Sequence, residues 1–145
     1  MKKYFFTLVL ASIAALTKAQ DSNSDTFKGY FYNDEYNVFL NIDFYSMEVE
    51  VPNHSLYGNL PGYLGKKLNN FYWVVTSAKI KDKRKAELSL INDYGSEDLK
   101  ASLRKENDSI YIFKQENGSP LKVPNNGKWL KLPKEFKLKK RIANN

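Results

Sequence analysis

The amino-acid sequence predicts an all-β protein, either an antiparallel up-and-down β-barrel or a barrel-like sandwich, with about eight to ten short strands. Apolar and polar residues alternate with period two in several segments, as in residues 99–104, which read Leu-Lys-Ala-Ser-Leu-Arg. Turn-forming pairs such as Asn117-Gly118 separate these segments, and helical periodicity is poor throughout. Because strict alternation is typical of half-buried strands, the chain is expected to form a succession of short strands.

The predicted strands share this alternation and are bounded by Asn, Asp, Gly or Pro. They are residues 27–32, 38–44, 47–51, 71–75, 78–81, 86–91, 99–104, 109–114 and one or two strands within 129–140. The expected core residues are Val38, Leu40, Ile42, Met47, Val49, Leu88 and Leu90. Glu48 and Glu50 alternate with core positions and are therefore expected to face solvent. Residues 53–70 contain Pro61 and three glycines, and they predict a long loop that is either functional or a crossover covering one sheet end.

The length of 145 residues predicts one domain after an export signal. Lys2 and Lys3 precede an apolar stretch, and small residues flank Lys18, so residues 1–19 are predicted to be a signal peptide cleaved after Ala19. The apolar stretch is shorter than the roughly 20 residues of a membrane-spanning helix. We therefore expect a secreted or periplasmic protein without a transmembrane segment. Residues 20–26 are predicted to form a flexible leader, and residues 27–145 are predicted to form a single barrel domain.

The composition argues against several kinds of chemistry. The chain has no cysteine and one histidine, so it offers neither a disulfide framework nor an imidazole cluster for a metal. His54 and Ser55 are adjacent and cannot normally aim at each other as a catalytic pair does. Residues 93–98 are rich in carboxylates, but their spacing does not match a calcium-binding loop. We expect binding rather than catalysis, with no cofactor and no metal.

The segment 27–31, which reads Phe-Lys-Gly-Tyr-Phe, and the turn 95–99, which reads Gly-Ser-Glu-Asp-Leu, resemble lipocalin-like (calycin-type) domains of small secreted bacterial proteins. The resemblance covers about residues 27–114. The usual Gly-x-Trp is replaced by Gly29-Tyr30-Phe31, and no C-terminal helix is expected. The resemblance implies a barrel that binds a ligand.

Aromatic residues are the strongest candidates for a binding role. Both faces of the segments around Trp73 and Tyr111 are apolar or amphipathic, which indicates either burial on both faces or an exposed binding patch. The first hypothesis is a small apolar or amphipathic ligand in the barrel. The predicted ligand-binding residues are Phe31, Tyr72, Trp73, Tyr111 and Phe113. The alternative is a protein-interaction module, such as an inhibitor, immunity or adhesion factor, that uses an exposed aromatic and lysine surface.

The C-terminal segment 122–145 is basic, with eight Lys or Arg against Glu135 alone, in a chain of net charge +7. Its lysines either protect a sheet edge from aggregation or attract an anionic surface. The candidates for an anionic surface are Lys137, Lys139 and Lys140. No nucleic-acid partner is expected, since the protein is predicted to be exported and has few arginines. A monomer is expected.

Overall fold

The computed structural model describes residues 25–141 and shows a closed, antiparallel eight-stranded barrel, which confirms the predicted fold class. The strands are β1 (Lys28–Asn33), β2 (Val38–Asp43), β3 (Val49–Glu50), β4 (Asn59–Leu60), β5 (Gly62–Lys66), β6 (Tyr72–Ile80), β7 (Lys85–Asn92), β8 (Asp98–Lys105), β9 (Ile110–Gly118), β10 (Lys122–Asn125), β11 (Lys128–Lys131) and β12 (Glu135–Lys140). The barrel strands follow the order β1-β12-β9-β8-β7-β6-β5-β2, and β1 pairs with β2 to close the barrel. A 3-10 helix, Ser55–Tyr57, precedes β4.

The topology is an up-and-down meander with two inserted hairpins, β3–β4 between β2 and β5, and β10–β11 between β9 and β12. We call the barrel end that carries the β1–β2, β5–β6 and β7–β8 turns the mouth. The hairpin β10–β11 lies at the mouth, where Leu121, Val123 and Leu132 join the main core. The Trp73 indole Nε1 donates a hydrogen bond to the Lys122 carbonyl at 2.8 Å, so the hairpin is tied to the barrel wall.

The connection between β2 and β5, residues 44–61, forms a strap along the outside of β5 and β6. Val51 of the strap packs on Tyr63, Tyr72 and Val74 in a second apolar cluster, separate from the barrel core. The strap extends as far as the β7–β8 turn. The inner face of β6 packs in the barrel core, and part of its outer face is covered by the strap. Because both faces are buried there, the residues around Trp73 are apolar or amphipathic on both faces.

The prediction of a long loop over residues 53–70 is wrong, because this segment contains β4 and the barrel strand β5. Two glycines interrupt the alternation of β5 for steric reasons. A Cβ atom at Gly62 would lie against the Asn41 carbonyl oxygen, and one at Gly65 would lie 2.7 Å from the Phe39 ring. The close approach of neighbouring groups therefore selects glycine and hides the strand from a pattern search.

Most of the predicted core is confirmed, with Met47 as the clear error. Met47 has a positive φ of 54° and its N–H donates to the Asp43 carbonyl, so it belongs to the turn after β2 rather than to a strand. Its side chain is 40% exposed and Val49 is half-buried, whereas Glu48 and Glu50 face solvent as expected. The predicted strands 71–75 and 78–81 are one strand, β6, whose pairing with β7 shifts at a bulge.

The predicted signal peptide, residues 1–19, lies outside the described residues. So do residues 20–24 of the predicted leader, which covers residues 20–26. Thr26, at the end of that leader, is buried beside the barrel. Within residues 25–141 there is no helix with the length and apolar character needed to cross a membrane.

Candidate functional site

Four of the five aromatic residues predicted to bind a ligand belong to the barrel core: Phe31, Trp73, Tyr111 and Phe113. The Phe31 and Tyr111 rings meet edge to face at 4.7 Å, and Phe113 stacks on Phe136 at 5.1 Å. Burial raises the pKa of Tyr111 to about 12. These rings pack on one another as core side chains do.

The fifth predicted residue, Tyr72, lies on the opposite face of β6, under the strap. Its ring meets that of Tyr63 at 5.2 Å and that of His54 at 5.9 Å. The His54 Nε2 lies 2.8 Å from Asp93 Oδ1, which fixes the strap to the β7–β8 turn. Tyr72 therefore does not share a surface with the other four residues.

At the mouth, the structure brings together a different group of rings. Phe71 is buried at the start of β6 and meets Tyr94 of the β7–β8 turn at 5.6 Å and Trp129 of β11 at 5.0 Å. Tyr94 is 73% exposed and Trp129 is 53% exposed. Two accessible rings thus contact the same buried ring.

The space beside these rings is a cleft of about 190 Å³, which we call the mouth cleft. It is lined by Phe71, Trp73, Asn92, Tyr94, Ser96, Glu97, Lys122 and Trp129. The Lys122 ammonium lies 3.5 Å from the Glu97 carboxylate, and both side chains are partly exposed. The buried Asn92 side chain accepts hydrogen bonds from the backbone N–H groups of Ser96 and Glu97 and holds the turn in place. Apolar walls and a few fixed polar groups are the usual constituents of a ligand site.

Further apolar side chains are exposed in the β5–β6 turn and in the strap. Leu68 is fully exposed in the β5–β6 turn, where its φ of +61° is unusual for a leucine. Leu56 is fully exposed and Tyr57 is exposed in the 3-10 helix, which follows His54 in the strap. We call these three residues, together with Tyr94 and Trp129, the apolar rim.

The basic C-terminal strand is not a sheet edge, so the interpretation of its lysines as an edge guard is wrong. β12 pairs with β9 on one side and with β1 on the other. Lys137 and Lys139 are exposed on the outer face, as predicted. Lys140 turns inward instead, where its Nζ lies over the Phe31 and Tyr111 rings and donates to the Asp25 carbonyl. Burial lowers the pKa of Lys140.

Tyr94 and Trp129 were not among the residues predicted to bind. Tyr94 lies outside the alternating segments, within a turn next to Gly95. Trp129 is the first residue of the predicted strand segment 129–140, but it lies in the short hairpin β10–β11 rather than in a barrel strand. A large aromatic side chain in a predicted turn is far from the alternating core positions. This was the signal by which Tyr94 could have been identified as an exposed ring.

No family model matches this chain, and no curated protein or solved structure is detectably similar to it. The resemblance to lipocalin-like domains stays a prediction. In the part of the chain that the structure describes, no group of three or more His, Asp or Glu side chains is placed to hold a metal ion.

Proposed function

We propose that this protein is an exported binding protein that holds a small amphipathic ligand at the mouth of its barrel. The observation that carries the proposal is the pair of accessible rings, Tyr94 and Trp129, which both contact Phe71 and line one cleft with the Glu97–Lys122 pair. The rings supply apolar contact, and the charged pair supplies a donor and an acceptor. A ligand with both kinds of surface fits such a site.

The size of the mouth cleft limits the ligand. Its volume of about 190 Å³ is below that of sites for drug-sized molecules, which begin at about 300 Å³. The cleft therefore accommodates one ring-sized group, whether a small molecule or one end of a larger one. The packing of Phe31, Tyr111 and Phe113 in the core supports a ligand at the mouth rather than among these rings.

A titration with glucose, phenol and indole, followed by NMR, tests the proposal. The chain contains two tryptophans, so its two indole N–H signals report on Trp73 and Trp129. We expect at least one compound to shift the Trp129 signal in the wild type and in the control variant Met47→Ala, which removes an exposed side chain outside the cleft. The shift should disappear in Tyr94→Ala. A Trp129 signal that responds to none of the compounds, or that responds equally in Tyr94→Ala, contradicts the proposal.

A protein partner is the second candidate, and the apolar rim supports it. Tyr and Trp dominate binding hot spots, and fully exposed residues such as Leu56 and Leu68 gain most from being covered. A photo-crosslinking residue at position 68 should then capture a partner from the medium of the native host. Excess wild-type protein should compete with the capture, and Tyr94→Ala/Trp129→Ala protein should not. Equal competition by both proteins would contradict this candidate.

A further inference from the structure

A second concave surface lies on the outside of the barrel, across β1, β2 and β12. It is a groove of about 610 Å³, here called the outer groove. Tyr30, Tyr32 and Phe39 direct their half-buried rings to this outer face, and the Tyr30 and Phe39 rings stack at 5.2 Å. The strand register places Tyr32 beside Phe39 on one side and beside Lys139 on the other. A row of rings is thereby continued by a row of cations.

Arg141 is the best-placed cation of the outer groove. Its guanidinium carbon lies 4.1 Å from the centroid of the Tyr30 ring, and its backbone N–H donates to the Tyr30 carbonyl at 2.7 Å. A guanidinium held over a ring face stays in place by a cation–π contact, and its N–H groups can still donate to an oxyanion. A fixed guanidinium loses little conformational freedom when it binds such a group.

The charges of the groove are unbalanced. Arg141, Lys139 and Lys67 line it, and none of the three forms an ion pair with a carboxylate of residues 25–141. Asp34 is the acidic residue of the lining, in the exposed β1–β2 turn, with Glu35 next to it. An excess of unpaired cations in a concave surface attracts anions.

We propose that the outer groove binds an acidic saccharide chain, with carboxylate or sulfate groups held by Arg141 and Lys139 and sugar rings lying against Tyr30, Tyr32 and Phe39. The C–H faces of a pyranose ring match the apolar faces of the tyrosine and phenylalanine rings. The anionic substituents match the guanidinium and ammonium groups.

Two other anionic partners fit less well. A membrane surface is broad and flat, whereas these rings are half-buried in a groove. Single-stranded nucleic acid also combines stacking with charge. The predicted export of the protein favours a saccharide, and nucleic acid becomes one outcome of the test.

Calorimetric titration of the full chain at low salt provides this test, with heparin and polygalacturonate as acidic saccharides, dextran as the neutral one and a single-stranded oligonucleotide. We expect binding to an acidic saccharide and none to dextran. Lys139→Gln/Arg141→Gln should weaken binding by at least about tenfold, since two charge-assisted contacts are lost. Arg141→Lys, which keeps the charge and loses the guanidinium group over Tyr30, should weaken binding less.

The matched control is Lys131→Gln/Lys134→Gln, which removes the same charge from the same C-terminal segment but outside the groove. We expect it to weaken binding by less than about threefold, since it changes only the long-range field. Equal losses in the two double variants overturn the proposal, because they show attraction to net charge alone. The proposal also fails if neither acidic saccharide binds, or if the oligonucleotide binds more tightly than both.

Discussion

The barrel interior and the barrel mouth use the same kinds of residue for opposite purposes. Inside the barrel, Phe31 and Phe113 are completely buried and contact other rings. At the mouth, Tyr94 and Trp129 contact the buried Phe71 and leave most of their own surface in water. A buried ring stabilises the fold because folding removes its apolar surface from water. An exposed ring keeps its surface in water after folding, so that this surface can be buried by a ligand or partner instead. Under the proposed function, the location of a ring decides whether it serves stability or recognition.

The largest expected effect comes from cutting an interior ring. Phe113→Ala removes a completely buried side chain and leaves a cavity, so it should lower the free energy of unfolding by about 3–5 kcal/mol. Tyr94→Ala should lower it by less than about 1 kcal/mol, since its side chain is largely exposed. Urea denaturation of both variants measures the difference. Similar losses in the two variants would break the distinction between interior and mouth.

A smaller effect is expected outside the barrel, where Phe39 and Tyr72 close over Gly65. An alanine Cβ at this position would lie 2.7 Å from the Phe39 ring and 3.0 Å from the Tyr72 ring. Gly65→Ala should therefore destabilise the fold by about 1–3 kcal/mol through overpacking. The double variant Gly65→Ala/Phe39→Leu, which makes room for the new methyl group, should recover part of the loss in urea denaturation. An unchanged free energy of unfolding in Gly65→Ala would mean that the Phe39 and Tyr72 rings can move to make room for the methyl group, unlike the rings of the core.

The smallest expected effect concerns the Tyr111 hydroxyl. Burial raises its pKa from 10 in the unfolded chain to about 12 in the fold. Between these values the unfolded chain has already lost a proton that the folded protein keeps, so the stability linked to Tyr111 decreases as the pH rises. Melting temperatures at pH 9 and pH 11 should fall more for the wild type than for Tyr111→Phe. Equal falls would show that water reaches this interior hydroxyl.

The sequence predicts the barrel well because alternation records which face of each strand is buried. It predicts β2 and β8 directly. It fails at β5, where Gly62 and Gly65 are required by contacts with neighbouring strands that are distant in sequence. Contacts of this kind leave no periodic signal.

The candidate site is less accessible to prediction than the fold. Alternation shows that Tyr111 and Phe113 share a face, but not whether that face encloses a ligand or other side chains. The mouth cleft joins Phe71, Tyr94 and Trp129, which come from three separate segments, and only the closed barrel brings them together. The prediction of Lys140 as part of an exposed basic surface is wrong because adjacent residues of a strand point to opposite faces. Lys139 and Lys140 are adjacent, so that only one of the two can face outward.

Acrylamide quenching of the two single-tryptophan variants tests the separation of interior and mouth most directly. Trp73→Phe leaves Trp129 as the only tryptophan, and Trp129→Phe leaves Trp73. Trp129 is 53% exposed and Trp73 is 1% exposed, so we expect strong quenching in Trp73→Phe and weak quenching in Trp129→Phe, provided that circular dichroism shows both variants folded. Equal quenching of the two variants would contradict the separation of a buried interior from an accessible mouth, on which the proposed binding site rests.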